Sequence, residues 1–106
     1  MLAQSAHYLA ANENVAARDG QAAMVLATKA NIISGGNQPF VFDVIGMACA
    51  ELGDFTNAQN AAQNALDIAT ALKMAEMEPL RQRLELYQKH QPWRESLRAT
   101  NQPSAP

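Results

Sequence analysis

The chain has 106 residues, of which 48% are apolar and 17% charged, with a formal net charge of −2. That length suits one domain with a single modest core, and the apolar share excludes a disordered chain. A nucleic-acid binder carries a basic excess to neutralise phosphates; this composition has none, so nucleic acid is not an expected partner. No window approaches the ~18 apolar residues that a membrane span needs, and no basic stretch followed by an apolar core opens the chain. Membrane insertion is therefore not expected, and a cytoplasmic location is the default unless the chain is part of a larger protein.

Alanine makes up about a fifth of the residues, whereas Val, Ile and aromatics are scarce, a balance that favours helix over sheet. Leu2, Ala3, Ala6, Leu9 and Ala10 recur at helical spacing and predict a helix over 2–11, ended by Asn12, Glu13 and Asn14. Asp19 stands where an N-cap belongs. Ala23, Leu26, Ala27, Ala30 and Ile33 follow, predicting a helix over 19–34 that Gly35, Gly36 and Asn37 stop. Pro39 suits the first turn of a third helix over 39–52, with Phe42, Ile45, Cys49 and Leu52 on one face and Gly53 at its end. Asp54 caps a fourth helix over 55–73, whose buried face is Ala58, Ala62, Ala65, Ala69 and Leu72. Met77, Leu80, Leu84 and Tyr87 mark a fifth over 77–90. Pro79 belongs in its first turn, because inside a helix it would cost about 3 kcal/mol. The polar, Pro-rich tail 96–106 is expected to be disordered. Short connections make neighbouring helices antiparallel; the loop at 12–18 is longer than the rest.

The second and fourth helices repeat each other. Ala23 falls on Ala58, Ala27 on Ala62 and Ala30 on Ala65, at an offset of about 35 residues. Two helices per period near this length resemble the tetratricopeptide repeat. The best unit runs from Pro39 to Leu72: Phe42 stands at the first large position, Ile45 and Gly46 match the Leu–Gly pair, Gly53 and Phe55 match the turn, and Ala58 and Ala65 match the small residues of the second helix. Cys49 and Ala62 replace the usual aromatics, and Thr70 stands where a terminal proline is common. With the Arg18–Asp19–Gly20 start and the ending Arg83–Tyr87, Pro92, Arg94 and Glu95, residues 2–95 resemble the C-terminal end of bacterial multi-repeat proteins. The resemblance implies an all-α, right-handed stack of two antiparallel pairs and a capping helix, the end of a solenoid.

In that family the first helix of each pair lines a concave groove. The resemblance thus implies that Phe40, Asp43, Met47, Ala50 and Glu51, with Ala3, His7 and Ala10 from the first helix, face a partner protein or peptide. Phe40 and Met47 suit apolar anchoring, and Asp43 and Glu51 favour a basic or hydrogen-bond-donating ligand. The family's clamp for a terminal carboxylate needs Lys and Asn where this chain has Asp43 and Val44, so that ligand class is not expected. Scaffolding through the groove is the leading functional expectation. A C-terminal accessory or oligomerisation domain is the alternative, with a homodimer stacked through Leu2, Met74 and Met77.

Catalysis is not expected. Cys49 lies on the Phe42–Leu52 apolar stripe and reads as a core residue, with no sequence feature supplying a base to activate it. His7 and His90 have no ligand spacing around them, so no metal is expected, and Gly35–Gly36 lacks the Lys–Ser/Thr of a phosphate loop, so no cofactor is either. Gly53 also joins two helices in the manner of a DNA-binding helix-turn-helix. The helix from Phe55 to Leu66 has no Lys or Arg to hold a phosphate backbone, which argues against it. The charges of the last third, Arg81, Arg83, Lys89, Arg94 and Arg98 against Glu76, Glu78, Glu85 and Glu95, read as a solvated face. Trp93, after Pro92, is expected to fold back on the last helix.

Overall fold

Helix starts in this chain are set by local chemistry. A computed structural model describes residues 2–75 and 77–95. In it the Asp19 carboxylate accepts from Ala22 N at 3.0 Å and the Asp54 carboxylate accepts from Asn57 N at 3.2 Å, each satisfying a donor that the first helical turn leaves free. Pro39 and Pro79 sit in first turns, where a missing N–H costs nothing. The resulting elements are α1 (Leu2–Ala11), a 3-10 turn (Val15–Ala17), α2 (Gly20–Ser34), α3 (Pro39–Glu51), α4 (Phe55–Ala71) and α5 (Glu78–Gln88). The fold class is all-α, as expected. Among the described residues the one extended pairing is a single parallel bridge between Asn12 and Glu95.

The helix ends expected at 52, 73 and 90 fall in the turns that close α3, α4 and α5. Gly53 has φ +82°, the left-handed conformation that redirects the chain from α3 into α4. Lys73 and His90 adopt the same conformation without being glycine, at φ +56° and +59°. The 96–106 tail lies outside the described residues. No helix among those described is long and apolar enough to cross a membrane.

α1 packs on α2 and α3, α2 on α3, α3 on α4, and α4 on α5. All six repeat-related alanines, Ala23, Ala27, Ala30, Ala58, Ala62 and Ala65, are buried. At about 0.8 kcal/mol for each buried carbon, their methyl groups contribute roughly 5 kcal/mol, and their small size brings the helix axes together. One close approach is at Gly46 in the middle of α3. A Cβ there would lie 3.3 Å from the Ala58 carbonyl oxygen of α4 and 3.3 Å from the Tyr87 ring of α5. Larger side chains fill the space between these contacts: Met47, Val44 and Tyr87 are among the largest fully buried residues. α3 is thus central, with neighbours on several sides.

Candidate partner-binding groove

α1 and α3 lie side by side and present one shared face. Toward its open end, Phe40 from the first turn of α3 is 40% exposed, and its ring meets the His7 ring of α1 edge-on at 5.9 Å. Farther along, the expected groove is covered. Asp43, Met47 and Ala50 are only 4%, 2% and 2% exposed, Ala10 is buried, and Glu51 is half-buried. Ala3 and His7 are half-buried as well.

The cover is the chain's own C-terminal part. Arg83 of α5 reaches Asp43 with two parallel hydrogen bonds, Nε to Oδ1 at 2.5 Å and Nη2 to Oδ2. This two-pronged geometry matches a planar guanidinium to a carboxylate, and it leaves both groups almost without solvent. Burial pushes the Asp43 carboxyl up, against the downward pull of Arg83. The indole of Trp93 lies over the outer face of that guanidinium, 5.0 Å from its carbon to the ring centre, and packs against the cluster of Ala10, Ala11, Ala23, Met47 and Ala48. Trp93 does fold back on the last helix, as expected, and it crosses to α1 and α3 as well.

Beyond Trp93 the chain runs extended across the end of α1. Glu95 N donates to Ala11 O at 2.6 Å, and Glu13 N donates to Glu95 O at 2.8 Å, which closes the Asn12–Glu95 bridge. The Glu95 carboxylate lies 2.7 Å from His7 Nε2 and accepts from the Trp93 indole N–H. Burial works to raise this carboxyl; the hydrogen bonds with His7 and Trp93 and the nearby Arg83 charge outweigh it and hold the group below its ordinary value. Arg94 pairs with Glu51 at 2.6 Å, and Arg18 approaches the same carboxylate at 3.4 Å from the 12–18 loop, while donating to Asn12 O at 3.3 Å.

The basic groups that Asp43 and Glu51 were expected to attract are therefore Arg83, Arg94 and Arg18 of the same chain. The reading of the C-terminal charges as a solvated face is corrected at three positions: Arg83 is 9% exposed, and Arg94 and Glu95 are half-buried in ion pairs. Arg83, Arg18, Trp93, Arg94 and Glu95 are the residues of this face that sequence reasoning missed. One signal was available. Arg83 falls on the Leu80–Leu84–Tyr87 stripe, and a charge on a buried stripe calls for a partner.

The rest of the face is open. A cleft of about 520 Å³ extends from it between α1, α2 and α3, lined by Leu2, Ala3, Ala30, Ile33, Phe40 and Val41 among others. Ile33 at its rim is 76% exposed. On the opposite side of α3, Cys49 is buried. Its thiol is pushed up to about 11 by burial and by the Asp54 charge, so it stays protonated at neutral pH. Among the described residues no three His, Cys, Asp or Glu side chains converge in a way that could hold a metal ion. No family model, curated protein or solved structure matches this chain.

Proposed function

We infer that this chain is a non-catalytic protein-binding module made of tetratricopeptide-like helix pairs, and that a partner protein or peptide docks where the α1/α3 face opens beside Phe40. Support for the architecture comes from the pairing of α1 with α2 and of α3 with α4, from α1 lying against α3, from α5 covering α4, and from the burial of the repeated alanines. Two nested hairpins and a cap would make these contacts. Cys49, a buried thiol held protonated, offers no ready nucleophile, which is in keeping with a non-catalytic role.

The observation that carries the reading is the apolar cleft at Phe40. Its walls are side chains of three helices, so its shape is fixed by the scaffold, and Phe40 and Ile33 stand exposed at its edge without a polar function to account for them. Photocrosslinking tests it. Benzoylphenylalanine placed at position 40 should yield a discrete protein adduct in the source cell, and the same group at position 82, on the exposed side of α5, should not. No adduct at position 40 sinks the reading. Exposure of Leu72 and Met74 beside the α4–α5 turn favours a second reading, self-association. An adduct of twice the chain's mass would decide for it.

A further inference from the structure

We propose that the covered part of the α1/α3 face is itself a peptide subsite, specific for an extended aromatic–basic–acidic segment, and that residues 91–95 occupy it as an internal competitor for a partner bearing the same pattern. The proposal rests on the partner-binding reading above and names the chemistry of the ligand.

Every element that reads the segment belongs to other parts of the fold. The aromatic seat is the Arg83 guanidinium together with Ala10, Ala11, Ala23, Met47 and Ala48; here it holds Trp93. Glu51 takes the basic side chain that follows, at 2.6 Å. His7 takes the carboxylate two residues beyond the aromatic, at 2.7 Å. Main-chain groups of Ala11 and Glu13 fix the backbone direction with one accepted and one donated hydrogen bond. This is the recognition mode of strand addition, where backbone bonds align the ligand and side-chain pockets choose it. The segment therefore displays, from within the chain, the ligand for which the face is built.

Its attachment is of the exchangeable kind. Pro92, Trp93, Arg94 and Glu95 are all half-buried, so the segment lies on the surface of the core and not inside it. The segment leaves α5 through His90, a non-glycine residue at φ +59°, so the connection is bent into a conformation that L side chains disfavour. Asp43 stays covered by Arg83 when the segment leaves, because α5 and not the segment supplies that arginine. Opening therefore empties the aromatic seat without stripping the buried ion pair of its partner.

The test uses the full chain and a capped, fluorescein-labelled peptide Gln-Pro-Trp-Arg-Glu. The native chain should bind it weakly, because the competent open form is a minority. The Trp93→Ala, Glu95→Ala double variant should bind at least about tenfold more tightly, the factor expected if the open form is under about a tenth of the native population. A peptide with its tryptophan replaced by alanine should bind neither. Should the double variant lose its helical circular dichroism, the 15N-labelled native chain supplies the answer. Unlabelled peptide at millimolar excess, comparable with the effective concentration of a tethered segment, should move the Trp93 indole N–H resonance to its free position. Absence of tighter binding in a folded double variant, or a Trp93 resonance that the peptide leaves in place, overturns the proposal. The position-40 crosslink does not depend on this outcome: a crosslinked partner without peptide exchange refutes the occupant assigned here and spares the cleft.

Discussion

Replacing Asp43 with alanine would leave the Arg83 guanidinium in its place, covered by Trp93 above and helix side chains around, with no anion to meet it. Both members of the pair are nearly inaccessible, so neither is rescued cheaply by water. Two opposite charges about 4 Å apart attract by about 4 kcal/mol at the effective dielectric typical near a protein surface. Removing one partner of a buried pair costs about 3–5 kcal/mol, because the remaining charge is stranded. The Trp93 face still offers that cation about 0.5–2 kcal/mol, which softens the loss. A net destabilisation of about 3 kcal/mol is expected, a large part of the ~5–15 kcal/mol that holds a domain folded. In urea, with a slope of about 2 kcal/mol per molar, the midpoint should fall by about 1.5 M. Substituting both partners, Asp43→Leu with Arg83→Met, should recover most of it, since no charge is then left buried. A midpoint for Asp43→Ala within about 0.3 M of the native value would refute the argument: the pair would then be behaving as an exposed one.

Three further outcomes follow from the same contacts. Glu95 has a folded pKa below its unfolded one, so the unfolded chain binds the proton more readily. Its contribution is fully present above the ordinary glutamate value of about 4.3 and disappears as the pH falls through the lowered folded value. Asp43, whose pKa is raised, acts in the opposite sense at higher pH. The native-minus-Glu95→Gln stability difference isolates the Glu95 part; it should shrink toward acid, and a difference that stays flat from neutral to acid pH counts against the His7–Trp93 environment. Gly46→Ala gains about 1 kcal/mol of helix propensity but forces a methyl against a helix carbonyl and a packed ring, at about 1–3 kcal/mol. The net loss of about 1 kcal/mol should lower Tm by about 4–8 °C, and an unchanged or higher Tm would mean that α3, α4 and α5 are not in the contact described. Cys49, protonated and buried, should react with an aromatic disulfide reagent at pH 8 only as fast as the chain opens; immediate stoichiometric reaction of the folded protein would contradict its burial.

The helices could be read from the sequence because their signals are local. Asp19 and Asp54 bond donors three residues away, Pro39 and Pro79 fix their own φ, and Gly53 supplies a left-handed residue where α3 must end. The alanines could be read because close helix packing repeats the same steric demand in both hairpins. What failed was the placing of Asp43, Met47 and Ala50 on an open groove. The run from Pro39 to Ala50 contains a single charge, Asp43, and is otherwise apolar or small almost all round. A helix of that kind is buried on every side. Read on its own composition, α3 is a central helix needing a cover on the α1 side too, and Asp43 within it needs a cation. Arg83, itself stranded on an apolar stripe, answers that need, but the two lie far apart in sequence and neither pattern names the other.

The C-terminal cover was illegible for a different reason: it depends on backbone pairing between single residues. Asn12 and Glu95 meet in one isolated bridge, too short to leave any alternation of apolar and polar residues in either segment. The trace it did leave is an irregularity. The loop at 12–18 is longer than a regular repeat allows, and the added length presents the Glu13 N–H and the Arg18 guanidinium to the C-terminal segment and to Glu51. At the other end, Pro92 prevents the helical path from resuming and keeps the chain extended where it crosses α1. Local regularity thus breaks at both contacts of the same site, and nowhere does the regular part of the fold require either break. Departures of this sort are expected where a structure serves something besides its own packing. Both breaks converge on the face shared by His7, Glu51, Arg83 and Trp93, where the chain's own C-terminal segment packs.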